Sequence, residues 1–490
     1  MRKELLSLLL EQGTLAEPAV VEHLLAQADP IHELRKIIKG LQESRDFLTM
    51  EEVLRIQEAE RIARRAAESL LRRETRTPAV RISEEAHQSG ERAQDYSSRI
   101  EILRDVTGHS ESRGKLQDFQ LYFQDRFQTL GGILSVRREL QGCVGIEQAK
   151  KYSREVRFLG MVRSVRAFGE AQLLEVEDAS GTATVLYKRP PAQDPIVEDE
   201  VIGVVGISKE NGKILSSQVF HPDIPETHRF TPSADPVWAA FISDVHVGAK
   251  SFLGKSWDKF SSWLNEPEGL AREVKYLVVS GDLVDGVGIY PDQEEELATK
   301  DIYAQYEQFA KSLEALPDHL QVVLLPGNHD AVRLAEPQPA LPREIQKMFS
   351  SNATFLGNPS SFALSGVKIL AYHGRSFDSW VGRVPGLTYG TPLLGMRQML
   401  RKRHLSPIYG SKTPIAPEHT DYLAIDREPD IFVTGHVHGV GSEEYRGVRM
   451  VNSSTWQAQT PFQLMHNIVP KTGFVPLVHL SSGETITKHF

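Results

Sequence analysis

Apolar residues recur at helical spacing near the start of the chain. In the segments ELLSLLLEQ, VVEHLLAQ and HELRKIIKGL they fall three or four positions apart, which predicts amphipathic helices. Thr49 and Glu52 form a capping box at the start of a further helix. We therefore predict a small helical module over residues 1–72. Residues 73–98 are rich in charged and small side chains and predict a flexible linker.

The pattern changes to short strands between Val156 and Phe220. The runs are VRFLGMVRSV, AQLLEVED, ATVLYKR, EVIGVVGISK and KILSSQVF, and Asn211–Gly212 between the last two is a hairpin signal. Five short strands in succession predict a small closed barrel such as an OB fold. A strand-like run from Ile100 and a helix-like segment precede them, so residues 99–235 are assigned to an OB-fold domain with a leading helix. Such barrels bind oligonucleotides in some proteins and only proteins in others.

Strands alternate with helical or looped segments after Pro236, which predicts an α/β domain over residues 236–490. Five apolar runs in this domain end in polar residues that can bind metal. AAFISDVHVG ends in Asp244 and His246, YLVVSGDLVDG in Asp282, VVLLPGNHD in Asn328 and His329, VKILAYHGRS in His373, and DIFVTGHVHG in His436 and His438. Each residue alone is an ordinary turn or surface residue. Together they predict one site, because open α/β sheets build sites at the carboxyl ends of their strands.

The polar residues divide into two metal sites. We expect Asp244, His246 and His438 on one ion and Asn328, His373 and His436 on the other, with Asp282 bridging them. In an extended strand His436 and His438 would point to the same side, about 6.5–7 Å apart, which suits neighbouring ions. Nitrogen and oxygen donors without thiolate suit Mn²⁺, Fe²⁺ or Zn²⁺. Two ions roughly 3.5–4 Å apart activate a water and neutralise a phosphate, so we predict phosphoester hydrolysis.

Two residues beside the predicted ligands are candidates for proton transfer. His329 directly follows Asn328, and we expect its side chain to diverge and act as general acid on the leaving oxygen. Asp285 is a candidate to orient His329 and keep it protonated, the alternative being an aspartate that caps a turn.

Several basic or polar residues near the motifs have two interpretations. Arg333, Arg375 and Ser376 could contact a DNA backbone, although surface or salt-bridging roles are favoured. The basic cluster RKRH, residues 401–404, either faces DNA or a partner, or is a solvated helix end.

Composition limits the class of protein. With 490 residues, 40% hydrophobic and 25% charged, the chain can form two to four domains of ordinary soluble composition. A net charge of −9 argues against coating nucleic acid by bulk electrostatics, although local basic patches remain possible. The single cysteine, Cys143, excludes an internal disulfide and a cysteine-based zinc site and favours a reducing setting. No apolar stretch reaches the length of a membrane span, so we expect a soluble, cytoplasmic protein.

The motif series D-x-H, G-D-x-x-D-G, G-N-H-D, H-G and G-H-x-H, from Asp244 to His438, resembles the calcineurin-like metallophosphoesterase superfamily. Three further segments are similar to the family of small subunits of archaeal family D DNA polymerases: GNHDAVRLAEPQPAL, RKRHLSPIYGSKTPIAPEHTDYLAID and MVNSSTWQAQTPFQLMHNIVPKTGFVPLVHL. This resemblance implies an αββα phosphoesterase sandwich preceded by an OB-fold barrel and a small helical module. It also implies 3′–5′ exonuclease proofreading on a DNA 3′ end with two divalent ions, in the first place Mn²⁺, together with a large catalytic subunit.

Two other functions stay open. The chain could be a structural polymerase subunit in which the metal site survives only as architecture. It could also be a free-standing phosphatase or repair nuclease, which the long segment before Asp244 disfavours.

Overall fold

The computed structural model describes residues 15–27, 29–32, 34, 37, 47–50, 53, 92–152, 154–168, 171–188, 195–209, 212–465 and 467–490. The chain forms two compact units, Met1–Ala79 and Val80–Phe490. The first contains strand β1 (Leu15–Ala16), helix α1 (Pro18–Leu25) and strand β2 (Phe47–Leu48), which pairs in parallel with β1. Of the rest of the predicted helical module the structure describes only residues 17, 26–27, 29–32, 34, 37, 49–50 and 53, and Glu52 of the capping box and residues 73–91 of the predicted linker lie outside the described residues.

The second unit begins with elements that lead into a barrel. They are β3 (Ile100–Arg104), α2 (Leu116–Ser135) and α3 (Ile146–Ala149). The barrel strands are β4 (Glu155–Phe168), β5 (Ala171–Asp178), β6 (Gly181–Lys188), β7 (Val201–Ser208) and β8 (Ile214–Phe220). The barrel closes because β4 pairs with both β5 and β7, while β6 pairs in parallel with β8. The prediction of a closed five-stranded barrel is confirmed.

Two sheets form the remainder of the second unit. Among the described residues the first has the order β12-β11-β10-β9-β18-β19 and the second the order β16-β17-β15-β14-β13-β3. The first contains β9 (Trp238–Ile242), β10 (Val274–Ser280), β11 (Gln321–Leu325), β12 (Ala353–Phe355), β18 (Phe474–His479) and β19 (Thr485–His489). The second adds to β3 the strands β13 (Ser360–Leu364), β14 (Val367–Tyr372), β15 (Ile431–Thr434), β16 (Val440–Tyr445) and β17 (Val448–Ser453).

Helices cover the outer faces of both sheets. They are α4 (Gly254–Leu264), α5 (Ile302–Glu314), α6 (Arg343–Gln346), α7 (Phe377–Trp380) and α8 (Pro392–Lys402). A further short helix, α9 (Pro461–Met465), buries the side chain of Gln463. Strand β9 is entirely apolar because both of its faces are buried. Trp238 and Ile242 pack towards the helices α4 and α5, whereas Ala239 and Phe241 pack against the other sheet. Helices α7 and α8 pack on the second sheet in the same way. This order of layers confirms the predicted αββα sandwich.

The structure corrects the predicted start of the barrel domain. Strand β3, which the sequence groups with the barrel, pairs antiparallel with β13 at the edge of the second sheet. Ala93, within the predicted linker, is buried in the core between the two sheets. Both segments therefore belong to the sandwich. No helix in the described part of the chain combines the length and the apolar character needed to cross a bilayer.

A buried group of polar side chains, here called the arginine cluster, joins α2 to the sandwich. It consists of Tyr122, Arg126, His404 and Asp421. Arg126 donates from Nε to Asp421 Oδ2 at 2.8 Å and from Nη2 to the Tyr122 hydroxyl at 2.6 Å. Its Nη1 donates to the carbonyl oxygens of Asp199, in the barrel, and Pro407, in the sandwich. The cluster thus fixes the barrel against the sandwich.

The basic segment RKRH, residues 401–404, contributes to the same junction. It was expected either to face DNA or a partner or to be a solvated helix end, and both interpretations are wrong for three of its four residues. Lys402, Arg403 and His404 are buried. The Nζ of Lys402 lies 3.1 Å from Oε2 of Glu200, which precedes β7, and Arg403 pairs with Glu428. These cations neutralise carboxylates inside the molecule instead of facing DNA or solvent.

Candidate metal centre

The polar residues predicted from five strand ends converge at one end of the sandwich. Strands β9, β10 and β11 run parallel in the first sheet, and β14 and β15 run parallel in the second. The residues that follow these strands are Asp244, His246, Asp282, Asn328, His329, His373, His436 and His438. Because their carboxyl ends share one edge of the sandwich, side chains from both sheets meet there.

The first group of potential ligands contains Asp244, His246 and His438, which can bring donor atoms within 4.8 Å of one another. The Nε2 atom of His438 lies 3.3 Å from Nε2 of His246 and 3.3 Å from Oδ1 of Asp244. Asp244 Oδ1 is buried, and the nearby Nε2 of His438 is not aligned to form a hydrogen bond with it. A buried carboxylate oxygen without a partner is costly, and a divalent cation would satisfy it. The donor set therefore fits a metal ion.

The second group contains Asp282, His373 and His436. The Nε2 atom of His373 lies 3.3 Å from Oδ2 of Asp282 and 3.0 Å from Oδ1 of Asn328. The same Oδ2 atom lies 3.8 Å from Nε2 of His246 in the first group. The Asp282 carboxylate thus stands between the two groups.

The backbone at these residues is unusual. Asp244, His246, Asp282, His436 and His438 have φ angles of 51°, 54°, 52°, 67° and 52°. Residues other than glycine rarely adopt this left-handed region, and strain of this kind concentrates at functional sites. The expectation that His436 and His438 continue an extended strand is wrong, because β15 ends at Thr434 and the chain turns sharply after it.

Each histidine of the two groups also contacts a neighbour through its other ring nitrogen. The contacts are His246 Nδ1 with Asp285 Oδ1 at 3.0 Å, His438 Nδ1 with Gln463 Nε2 at 2.8 Å, His373 Nδ1 with the Ser280 carbonyl at 3.0 Å, and His436 Nε2 with Asp378 Oδ2 at 3.2 Å. For His246, His373 and His436 the partner is an oxygen that accepts the ring proton, which leaves the other nitrogen free for a metal ion, and for His438 the Gln463 amide fixes the ring orientation. Asp378 and Gln463 could not be predicted from the sequence. Neither belongs to a motif, and only the folded chain brings each of them to its histidine.

Asp285 and His329 do not form the predicted pair. The Asp285 carboxylate contacts His246 and accepts hydrogen bonds from Gln293 and Gln457. His329 instead donates from Nδ1 to the main-chain carbonyl of Asp285 at 2.7 Å. Burial, supported by the adjacent His246, lowers the pKa of His329 although Asp282 and Asp285 oppose it. The expectation that the Asp285 carboxylate orients His329 is therefore wrong, because the main-chain carbonyl of Asp285 makes that contact.

Two carboxylates stand among the histidines of the two groups. Burial alone would raise the pKa of Asp244 and of Asp282, but the neighbouring histidines hold both below their ordinary value. Burial likewise opposes protonation of His373, but Asp282 raises its pKa to about 10. The site therefore favours anionic carboxylates facing histidine nitrogens.

Asp330 fixes the loop that carries Asn328 and His329. Its carboxylate accepts hydrogen bonds from the main-chain nitrogens of Gly327 and Leu283 and from the Tyr306 hydroxyl. Burial raises the pKa of Asp330 to about 6. A Cβ atom at position 327 would collide with Asp282, so the loop can approach that carboxylate only with glycine there.

The weaker candidates make structural contacts. Arg333 pairs with Glu418 at 2.8 Å and donates to the Pro337 carbonyl. Ser376 is buried and donates to the Leu405 carbonyl, and Arg375 donates to the Leu334 carbonyl. These contacts agree with the favoured structural interpretation.

Comparisons with known proteins give a consistent result. A family model for the B-type subunit of DNA polymerases alpha and epsilon matches residues 239–439. The chain is 42% identical over 399 residues to the DNA polymerase II small subunit of Archaeoglobus fulgidus, covering 80% of each chain. It is 42% identical over 394 residues to that of Methanothermobacter thermautotrophicus, covering 78% of this chain and 81% of the relative.

Solved structures add less. A novel archaeal phosphodiesterase aligns with 52% of this chain and 100% of its own, with 11% identity and a TM-score of 0.27. The phosphoesterase YfcE of E. coli aligns with 52% and 99%, with 12% identity and a TM-score of 0.26. These scores carry no argument about function.

Proposed function

Because the chain belongs to the family of DNA polymerase II small subunits, the small subunits of the archaeal family D DNA polymerases, we propose that it is the proofreading subunit of such a polymerase. It would act as a 3′–5′ exonuclease on DNA phosphodiesters, with two divalent metal ions. One observation carries the proposal: the Asp282 carboxylate lies between two groups of converging donors, 3.3 Å from His373 and 3.8 Å from His246.

The ligand assignment follows from these contacts. Asp244, His246 and His438 would hold one ion, Asn328, His373 and His436 the other, and Asp282 both. Two bound divalent ions supply activation of a water and neutralisation of charge on the phosphate. The mixed nitrogen and oxygen donors suit Mn²⁺, with Fe²⁺ or Zn²⁺ as alternatives. Asp285, Asp378 and Gln463 would orient ligand rings, each through a hydrogen bond.

His329 is the residue we assign to the leaving oxygen. Its Nδ1–H is held by the Asp285 carbonyl, so Nε2, 4.0 Å from Asp282 Oδ2, faces the centre. The His329 side chain is 16% exposed, which leaves it accessible from the cleft. As a water attacks phosphorus and the bond from phosphorus to the 3′ oxygen breaks, His329 would pass a proton from Nε2 to that oxygen. This requires the doubly protonated ring, which Asp282 and Asp285 favour and burial opposes. The products would be a nucleoside 5′-monophosphate and a new 3′ hydroxyl.

We also assign partners from the family. The chain would bind a large catalytic polymerase subunit and a DNA 3′ end. Its barrel, in which the first strand pairs with the second and fourth and the third pairs in parallel with the fifth, would be an OB fold. Family membership argues against a free-standing phosphatase.

The test is removal of a 3′-mismatched nucleotide from a primer in Mn²⁺, with and without the large subunit. Asp282→Asn and His436→Ala should abolish removal, whereas the matched exposed variants Asp258→Asn and His109→Ala should not. Unchanged activity in the first pair would contradict the assignment. Two bound Mn²⁺ without any nucleotide removal would instead identify a structural subunit.

A further inference from the structure

A patch of exposed apolar side chains lies in and just after helix α9, here called the 461–471 segment. Phe462, Leu464, Met465 and Val469 are 57%, 67%, 77% and 69% exposed. Single exposed apolar residues are common on soluble proteins. Four within one short segment concentrate apolar surface in one region, and exposed apolar surface of this kind marks binding sites.

The segment is attached to the candidate metal centre at two points. Gln463, the buried residue of the helix, has its Nε2 atom 2.8 Å from Nδ1 of His438. The main-chain nitrogen of Lys471 donates to the carbonyl oxygen of the same histidine at 2.8 Å. One candidate ligand is therefore held from both ends of the segment that carries the exposed apolar side chains.

The charge of this region suits a polyanion. The net charge of the chain is −9, yet no aspartate or glutamate occurs between Glu444 and Glu484. Lys471 is exposed within the segment. A phosphate backbone could therefore pass over the segment without meeting a carboxylate from it, and Lys471 would attract it.

We propose that the 461–471 segment is a stacking platform for the unpaired bases at the 3′ end of a single-stranded nucleic acid. The inference rests on the proposed function, since it names the form of substrate that the same centre receives. Aromatic side chains together with basic residues bind single strands, because every base offers a face for stacking, and Phe462 and Lys471 are exposed residues of these two kinds in the segment. A paired end keeps its bases inside the duplex and cannot use the platform. The segment would thus favour frayed or mismatched ends.

A partner chain is the other occupant that an apolar surface suggests. The attachment of the segment to His438 and the absence of carboxylates from it both favour the nucleic acid. Binding of the large subunit is therefore treated as an outcome of the test.

The test measures binding of the full chain to 5′-fluorescein-labelled single-stranded oligonucleotides in EDTA, by fluorescence anisotropy. One oligonucleotide carries ordinary nucleotides throughout, and a second carries two abasic residues at its 3′ end. Wild type should prefer the first by about ten-fold or more. The double variant Phe462→Ala, Met465→Ala should show no preference.

A matched control uses the exposed residues Tyr303 and Leu116, which lie on other helices. The double variant Tyr303→Ala, Leu116→Ala should keep the wild-type preference. Circular dichroism and thermal unfolding establish that both double variants are folded.

Three outcomes separate the hypotheses. A preference that persists in the Phe462 and Met465 variant overturns the platform. Unchanged DNA binding together with weaker association with the purified large subunit overturns it in favour of a subunit interface. Hydrolysis of bis(p-nitrophenyl) phosphate by wild type in Mn²⁺ is measured in parallel, and its absence counts against the proposed function. The preference for the ordinary over the abasic oligonucleotide tests the stacking platform independently of this activity.

Discussion

The arginine cluster and the candidate metal centre are both buried groups of acidic and basic side chains, but they satisfy their charges differently. In the arginine cluster, Asp421 Oδ2 accepts from Arg126 and from His404, each at 2.8 Å, and Oδ1 accepts from the Leu423 nitrogen. In the metal centre, Asp244 Oδ1 is buried without a hydrogen bond, and Nε2 atoms of His246 and His438 face each other.

The backbone conformation also differs between the arginine cluster and the candidate metal centre. Five of the predicted metal ligands have left-handed φ angles, whereas none of the four residues of the arginine cluster does. The arginine cluster is complete in itself and joins elements of the fold, whereas the strain and the unmade hydrogen bond at the candidate metal centre support the proposal that it receives a ligand. Burial alone does not make this distinction, because both groups are largely buried.

The largest effect should come from breaking the complete cluster. Arg126→Met would leave the Asp421 carboxylate buried without its cation, so we expect a loss of about 3–5 kcal/mol in the free energy of unfolding. Arg163→Met is the matched control, because Arg163 is half exposed and pairs with Glu175 and Glu177 on the barrel surface; it should cost at most about 1 kcal/mol. Urea unfolding of both variants measures this. Equal losses would remove the distinction.

His404 makes the same cluster sensitive to acid. Its Nε2–H donates to Asp421 and its Nδ1 accepts from the Ser406 nitrogen, so the neutral ring satisfies both contacts. Burial, followed by the adjacent Arg126, lowers the pKa of His404 to about 4. An unfolded histidine has a pKa near 6.5, so between these values the unfolded chain binds a proton that the folded chain does not.

The stability contributed by His404 is therefore complete above about pH 6.5 and is lost as the pH falls towards 4, by roughly 3 kcal/mol in total. The measurement is the free energy of unfolding against pH for wild type and His404→Gln. The variant should show a shallower dependence in this window, and the exposed His109→Gln should follow wild type. Parallel curves for wild type and His404→Gln would exclude this role.

Metal should stabilise only the incomplete cluster. Mn²⁺ at a hundred times its dissociation constant would raise the stability of wild type by about 2.7 kcal/mol. Asp244→Asn should lose that gain, while His404→Gln, whose substitution lies in the arginine cluster, should retain it. Thermal unfolding with Mn²⁺ and with EDTA provides the comparison. An undiminished response in Asp244→Asn would show that the ion binds elsewhere.

The smallest effect concerns a residue that only orients a ligand. Asp378 accepts from the Tyr389 hydroxyl and contacts His436 Nε2 at 3.2 Å. Asp378→Asn removes the charge but keeps the shape, so we expect Mn²⁺ affinity to fall about ten-fold. Calorimetric titration of this variant beside the exposed Asp258→Asn tests it. Equal affinities would leave Asp378 without a positioning role.

The sequence predicted the sandwich and the gathering of ligands because both depend on local patterns. A strand buried on both faces, such as β9, has to be apolar throughout. Polar residues directly after several such strands can then meet only at one edge. The positions of Asp244, Asp282 and His373 followed from this reasoning.

The remaining features depend on contacts between distant parts of the chain. Asp285 was assigned to His329 from its place in the motif, but the turn after β10 directs its carboxylate to His246. Arg126, on a helix with mixed polarity, gave no sign that it would be buried against Asp421, which lies 295 residues away. His436 and His438 were expected in an extended strand, but the chain turns there. This turn places the two histidines of one loop in the two different groups of potential metal ligands.

The position of strand β3 has a consequence for synthesis of the chain. It is made before the barrel, yet its partner β13 comes much later: the Ser360 hydroxyl donates to the Arg104 carbonyl across 256 residues. At about 5–20 residues per second, a ribosome would take roughly 10–50 s to make the intervening chain. During that time β3 has no sheet to join. The strands of the barrel follow one another in sequence, so the barrel can close early. Strand β3, on its N-terminal side, can pair only after β13 has been synthesised.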